Sequence, residues 1–229
     1  MSAPPHLQIA IDGPAASGKT TVARRLAHEL KILYLDTGAM YRTLAYLALR
    51  SRIDADNESA LVRLWDGAHV SVILDSDAPL GFRIAASGLE LDEATLQSNE
   101  VTAIVSTIAA HPRVREAMVR SQREIAQQGP VVMAGRDIGT VVLPFAQVKI
   151  FLTASAQARV ERRRAQLLAA GVDIGEHQLA REIEERDRLD RERAASPLAP
   201  APDAHAVDSS TVGVEQVVAE IAGIVERSR

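Results

Sequence analysis

The chain has 229 residues with 26 basic and 30 acidic side chains, a formal net charge of −4, so it carries no global basic field of the kind that gathers nucleic acid. It contains no cysteine, which excludes disulfides and thiol catalysis and fits a reducing compartment. The opening MSAPPHLQIAIDG lacks a basic segment followed by an apolar one, and no run of about 18 apolar residues occurs, so a cytoplasmic protein with no membrane partner is expected.

In chain order, the first signal is the apolar run Ile9, Ala10, Ile11, which predicts a strand. Gly13, Pro14, Ala15, Ala16, Ser17, Gly18, Lys19 and Thr20 follow it in the spacing G-x-x-x-x-G-K-[ST], and a helical pattern begins there with Thr21 in its first turn. Glycines let consecutive backbone N–H groups curl around phosphate oxygens, and the starting helix adds the positive end of its dipole. Lys19 is expected to bridge the outer phosphates, and the Thr20 hydroxyl to reach a magnesium ion.

Further apolar runs at 32–35, 131–134, 148–152 and 204–207 alternate with segments of 3.6-residue periodicity. This alternation predicts an α/β fold, a parallel five-stranded sheet flanked by helices. Ligands of such sheets collect beyond the carboxyl ends of strands, which selects Asp12, then Asp36, Thr37 and Gly38, then Gly135, Arg136 and Asp137, and Thr153. Residues 70–92 break the alternation with β-rich runs about the turn-forming Ser76, Asp77, Ala78 and Pro79, reading as an antiparallel insertion.

Residues 155–195 carry nine arginines and nine acidic side chains. One reading is a solvated helical pair joined by i, i+4 ion pairs such as Glu182 with Arg186 and Arg186 with Asp190. The other follows the periodicity: Leu179 and Ile183 begin an apolar stripe, and Arg186, Asp190 and Arg193 are expected to continue it inward, toward a ligand. The chain has three lysines, Lys19, Lys31 and Lys149, so an arginine gains meaning here only from its position.

Neither Lys31 nor Lys149 follows an asparagine, so the guanine-reading N-K-x-D motif of GTPase switches is missing. The apolar runs ending at Asp36 and Asp75 are followed by Thr and Ser, not by the Glu of helicase and transporter ATPases. Without such an acid to activate water, transfer to a bound acceptor is favoured over hydrolysis, and the arginine-rich segment reads as a lid that closes on developing phosphoryl charge.

The segments IDGPAASGKTT, YLDTGAMYR, HPRVR, AGRDIGTVV, KIFLTAS and RDRLDRERAASPLAPAPDA resemble bacterial cytidylate kinases, in order and over nearly the whole chain. The resemblance implies a P-loop NTPase-type core with a β-rich monophosphate-binding insertion and a helical lid. The expected boundaries are 1–60 for the first part of the core, 61–97 for the insertion, 98–154 for the second part, 155–196 for the lid and 197–229 for the C-terminal strand and helix. The implied reaction is transfer of the ATP γ-phosphate to CMP or dCMP with Mg²⁺, by a monomer whose partners are small molecules.

The same resemblance assigns roles. Thr37 and Arg42 would face the acceptor, with Arg42 on its phosphate; Ser106, Arg115 and Asp137 would face cytosine. Arg136 and Arg193 would face the phosphates, Arg186 and Asp190 the ribose, and Arg159, Arg162 and Arg163 would approach ATP. Lys19, Arg136, Arg162 and Arg193 are the expected catalytic set. Asp137 and Arg115 suit cytosine, which offers an amino donor and two acceptors where uracil reverses two of those groups.

The sequence also departs from the family pattern. Ala134 stands where an acidic residue is expected before Gly-Arg-Asp, leaving Asp36 or Asp12 to organise metal-bound water, and Gln97 stands where an arginine is frequent. A kinase with broader UMP/CMP range, or an ATP-binding regulator without turnover, stays open as an alternative.

Overall fold

A computed structural model of the chain describes residues 6–75, 78, 81–169, 171–193 and 195–228. Strands β1 (Gln8–Asp12), β2 (Leu33–Asp36), β6 (Val131–Gly135), β7 (Val148–Thr153) and β8 (His205–Asp208) form one parallel sheet in the order β2-β6-β1-β7-β8, flanked by helices. Each apolar run expected to be a strand lies within one of these or one residue from it. All five residues of β1 are buried, as a central strand covered on both faces requires. By packing, the described residues form two units, one of residues up to 7 with 27–133, the other of 8–26 with those from 134 onward.

In the first unit, helix α2 (Thr37–Ser51) starts directly off β2. Asp36 caps it, Oδ1 accepting the Gly38 N–H at 2.9 Å. A side chain at Gly38 would bring its Cβ to 3.0 Å from that oxygen and 3.3 Å from Arg42 Nη1, so a glycine there lets cap and arginine lie alongside. The other helices of this unit are α3 (Glu58–Gly67), α4 (Glu93–Leu96), α5 (Asn99–Ala110) and α6 (Pro112–Gln127). They pack through buried Met40, Leu44, Leu61, Leu96, Ile108 and Met118. Side chains of Asn57, Asp92 and Ser98 cap α3, α4 and α5 by accepting the first-turn N–H groups of Ala60, Thr95 and Val101.

The stretch expected to be an antiparallel insertion folds as a three-stranded antiparallel sheet, β3 (Ser71–Leu74), β4 (Phe82–Ala86) and β5 (Leu89–Leu91). Phe82 of β4 meets Tyr34 of β2 edge to face, ring centres 5.9 Å apart. Of the expected turn, Ser76, Asp77 and Pro79 lie outside the described residues.

In the second unit, β7 pairs in parallel with β1 and β8, placing Ile11 beside Ile150 and Leu152 beside Val207. Helix α1 is Lys19–Leu30, of which residues 19–26 belong to this unit, and α9 (Val214–Arg227) packs against β7 with Val217, Val218, Ile221 and Val225 buried. Between β6 and β7, residues Ile138–Val142 form one π-helical turn. Residues 155–195 hold two helices, α7 (Ala156–Ala169) and α8 (Glu176–Glu192). Buried Val160, Leu179 and Ile183 of these helices pack with Ala15 in one apolar cluster.

The expected phase of α8 is corrected by the structure: Leu179 and Ile183 are buried, but Asp187 is buried next to them and Arg186 is exposed. At 100° per residue, position 187 lies 40° from position 183 and position 186 lies 60° away on the other side, so the inward face turns toward 187. The exposed face carries surface ion pairs of Arg188 with Glu185 and Glu192.

Candidate functional site

The residues expected to form a phosphate loop, Gly13, Pro14, Ala15, Ala16, Ser17, Gly18, Lys19, Thr20 and Thr21, run from the end of β1 into α1. A Cβ on Gly13 would stand 2.1 Å from the Leu152 carbonyl oxygen of β7, so only glycine fits between strand and loop. Ala16 and Gly18 take positive φ values of 58° and 90°, the tight curl that aims backbone N–H groups inward. Lys19 is buried, its Nζ donating to the Pro14 carbonyl at 2.6 Å and to Ser17 Oγ at 3.3 Å. Thr20 is exposed in the first helical turn.

The arginine-dense start of α7 sorts itself by helix face. Arg159 donates to the Ala15 carbonyl at 3.2 Å and pairs with Asp187. One turn on, Arg162 donates to Ser209 Oγ at 2.9 Å and to the Ser209 carbonyl, and reaches the Ser17 carbonyl at 3.5 Å. Ser209 itself is buried, its hydroxyl 3.0 Å from the Ser17 carbonyl and 2.9 Å from that of Thr153. Arg163 points elsewhere, 3.4 Å from Gln166 Oε1.

Four other expected site residues of this unit form one charged network. Arg136 Nε donates to Asp190 Oδ2 at 2.6 Å, Arg193 Nη1 lies 3.5 Å from Asp190 Oδ1, and Arg193 Nη2 lies 3.8 Å from Asp137 Oδ1. Arg193 also donates from Nε to the Ser196 carbonyl at 2.6 Å. Burial works against the charge of Asp190, yet Arg136, Arg193 and Arg186 hold its carboxyl below the usual carboxylate range. Arg186 acts on it from the exposed side of α8.

Asp12 joins the loop and the network. Its Oδ1 accepts the Ile138 N–H at 2.8 Å and its Oδ2 the Gly139 N–H at 2.7 Å, which fixes the turn that follows Arg136 and Asp137. Burial pushes the Asp12 carboxyl from its ordinary 3.8 up to about 6; the two N–H donors oppose this, the charge of Asp137 adds to it, and Lys19 opposes it. Both candidates for the acid displaced by Ala134 thus hold backbone in place, Asp12 with both oxygens and Asp36 with one.

In the first unit, Thr37 is buried at the start of α2, and Arg42 lies one turn further with a buried Nε that makes no hydrogen bond. Arg115, on α6, is buried with its guanidinium 5.6 Å from the centre of the Tyr41 ring and Nη1 3.3 Å from the Ala109 carbonyl. That cation–π contact orients a charge that burial would otherwise penalise. Ser106 stands exposed on α5.

Two participants were not anticipated from the sequence, Asp187 and Ser209. The four-residue step from Leu179 through Ile183 reaches Asp187, a signal that a strict reading of the periodicity picks up. Ser209 has no such signal beyond its place at the carboxyl end of β8.

A family profile described as cytidylate kinase matches residues 9–227. The cytidylate kinase of Pelotomaculum thermopropionicum is 50% identical over 221 residues, covering 96% of each chain, and that of Anoxybacillus flavithermus is 46% identical over 220 residues at the same coverage. Among solved structures, an uncharacterized protein from Eubacterium ventriosum superimposes with a TM-score of 0.55 at 11% identity, covering 96% of this chain and 99% of that one, a likeness of fold alone.

Proposed function

From the premise that the chain belongs to the cytidylate kinase family and is a nucleoside monophosphate kinase, we propose that it transfers the γ-phosphate of ATP to CMP or dCMP, yielding ADP and CDP or dCDP. The observation that supports this reading is the network Arg136, Asp190, Arg193 and Asp137, in which two guanidiniums are paired with carboxylates next to the carboxyl end of β6.

In this reading a CMP phosphate oxygen attacks the γ-phosphorus while the bond from that phosphorus to the β–γ bridging oxygen breaks and ADP leaves. Charge spreads over the equatorial oxygens, so preplaced cations are the main means of acceleration. Lys19 and the loop N–H groups bind the donor phosphates, and Arg159 and Arg162, which already reach Ala15 and Ser17 of the loop, come to ATP from α7, while Arg163, set on another face, needs the nucleotide to turn it in. Arg136 and Arg193 hold the transferring and accepting phosphates; each is tethered by a carboxylate, so its planar donors are aimed before substrate arrives. Arg42, with its uncommitted buried Nε, grips the acceptor phosphate.

Asp137 accepts from the cytosine amino group, and Arg186 and Asp190 meet the ribose; the family resemblance gives Arg115 and Ser106 to the base as well. The exposed Thr20 hydroxyl at the phosphate loop suits Mg²⁺, which takes few protein ligands and keeps several waters and phosphate oxygens. When bound, the ion neutralises charge on the donor phosphates. The lid role of 155–196, the insertion over 61–97 and the remaining core segments, a monomeric state and a cytoplasmic setting belong to the same proposal.

ADP release measured with CMP, dCMP, UMP and AMP as acceptors tests it. Turnover with CMP or dCMP well above that with UMP supports it. Equal use of CMP and UMP makes the protein a broader pyrimidine kinase, and ATP binding without turnover makes it a regulator.

A further inference from the structure

Resting on the reading that ATP is the donor, we infer that Asp187 is a positioning residue, setting both the phosphate loop and Arg159 for the nucleotide. Asp187 lies two helical steps of four beyond Leu179, on the face of α8 turned to Ala15, and is 2% exposed. Its Oδ1 accepts the Ala15 N–H at 2.9 Å, and its Oδ2 pairs with Arg159. Arg159 closes the circuit by donating to the Ala15 carbonyl at 3.2 Å.

Both backbone polar groups of Ala15 are therefore spent on this pair, while its methyl packs with Val160, Leu179 and Ile183. Ala15 precedes Ala16, whose positive φ begins the curl of the loop, so a carboxylate at this point fixes where the curl starts. The pair also decides how Arg159 is presented. Its Nη1 serves Ala15 and Asp187 together, and its buried Nε makes no hydrogen bond. A planar guanidinium whose Nη1 is shared between two acceptors is held in plane, which sets how Arg159 meets the nucleotide. Without the carboxylate, a long side chain with several rotatable bonds must be ordered by the nucleotide itself, which weakens binding. Asp187 touches no reacting atom in this account and acts through Arg159 and Ala15.

The test is a double-mutant cycle on the full chain, with binding of the Mg²⁺ complex of the β,γ-imido analogue of ATP read by calorimetry and KM values by ADP release. Asp187→Asn keeps an acceptor for Ala15 but faces Arg159 with a donor or a neutral oxygen. It is expected to weaken analogue binding by about tenfold and to raise KM for ATP in parallel, with KM for CMP changed by less than about twofold. In an Arg159→Ala background the same change is expected to cause no further weakening, because asparagine still accepts the Ala15 N–H and the guanidinium that the charge positions is gone. Asp187→Ser is run alongside, so that a variant that fails to fold does not remove the cycle. Equal weakening in both backgrounds, or equal rises in KM for ATP and CMP, overturns the inference and leaves Asp187 a structural residue. Absence of analogue binding to the unaltered protein overturns the donor reading, and this inference with it.

Discussion

Asp12 Oδ2 accepts the Gly139 N–H at 2.7 Å across 127 positions of sequence, tying the end of β1 to the turn behind Asp137. The contact leaves an ionisable group at 3% exposure whose carboxyl is raised to about 6. Between the ordinary value of 3.8 and about 6 the native protein keeps a proton that the unfolded chain has lost, so this group's contribution to stability falls as pH rises through that window. At neutral pH its ionised form costs about 3 kcal/mol relative to the acid end, from the size of the shift. Asp12→Asn removes this slope. Denaturant titrations from about pH 4 to pH 7 are expected to show the stability of Asp12→Asn, relative to the unaltered protein, rising by up to about 3 kcal/mol. A difference that stays flat refutes the assignment of the shift to Asp12.

Lys19→Ala is expected to lower turnover by about a thousandfold or more while the thermal midpoint moves by only a few degrees. The amine donates to Pro14 and Ser17 within its own loop, so its loss is felt there first. Retention of most activity in a pure sample removes Lys19 from the proposed catalytic set.

The five strands were legible because each is a short apolar run, and the turn from β1 into α1 because its glycine spacing marks a tight curl between a strand and a helix. Arg136, Asp137, Asp190 and Arg193 were legible as separate candidates at strand and helix ends. Their joining into one network was not, since nothing local in a sequence says that Asp190 will meet a guanidinium 54 residues earlier. Asp187 was lost for another reason: within a segment where charge is the rule, a buried carboxylate has the same letter as its solvated neighbours, and the choice between steps of three and four decided the face. The clamp of Asp12 on Ile138 and Gly139 uses backbone donors, which every residue but proline supplies and no sequence pattern announces.

Asp137→Asn tests acceptor identity. A carboxylate only accepts, so it complements the cytosine amino group and opposes the O4 of uracil, whereas an amide can donate to O4. The variant is expected to lose about a hundredfold in kcat/KM for CMP and to narrow the CMP-to-UMP preference. Because Arg193 Nη2 lies 3.8 Å from this carboxylate, an equal loss on both acceptors would assign Asp137 to holding Arg193 and not to reading the base.

Cleavage by a nonspecific protease within 155–195 is expected to fall by about tenfold or more when an ATP analogue and CMP are both bound, since closure orders the backbone that cleavage needs. Either nucleotide alone should protect less. Unchanged cleavage with both present would return the segment to a solvated helical pair.

Of the three lysines, Lys19 and Lys149 are buried and engaged, the latter donating to the Pro144 carbonyl at 2.7 Å and to Asp203 at 2.9 Å, while Lys31 stands exposed just after α1. For acylating reagents, which need a solvent-accessible neutral amine, the side chains of this protein thus present close to a single handle. A dye or surface linker applied at a pH high enough to free a lysine amine would find Lys31 as the open side-chain target, alongside the α-amino group, which loses its proton at a lower pH and reacts first under milder conditions.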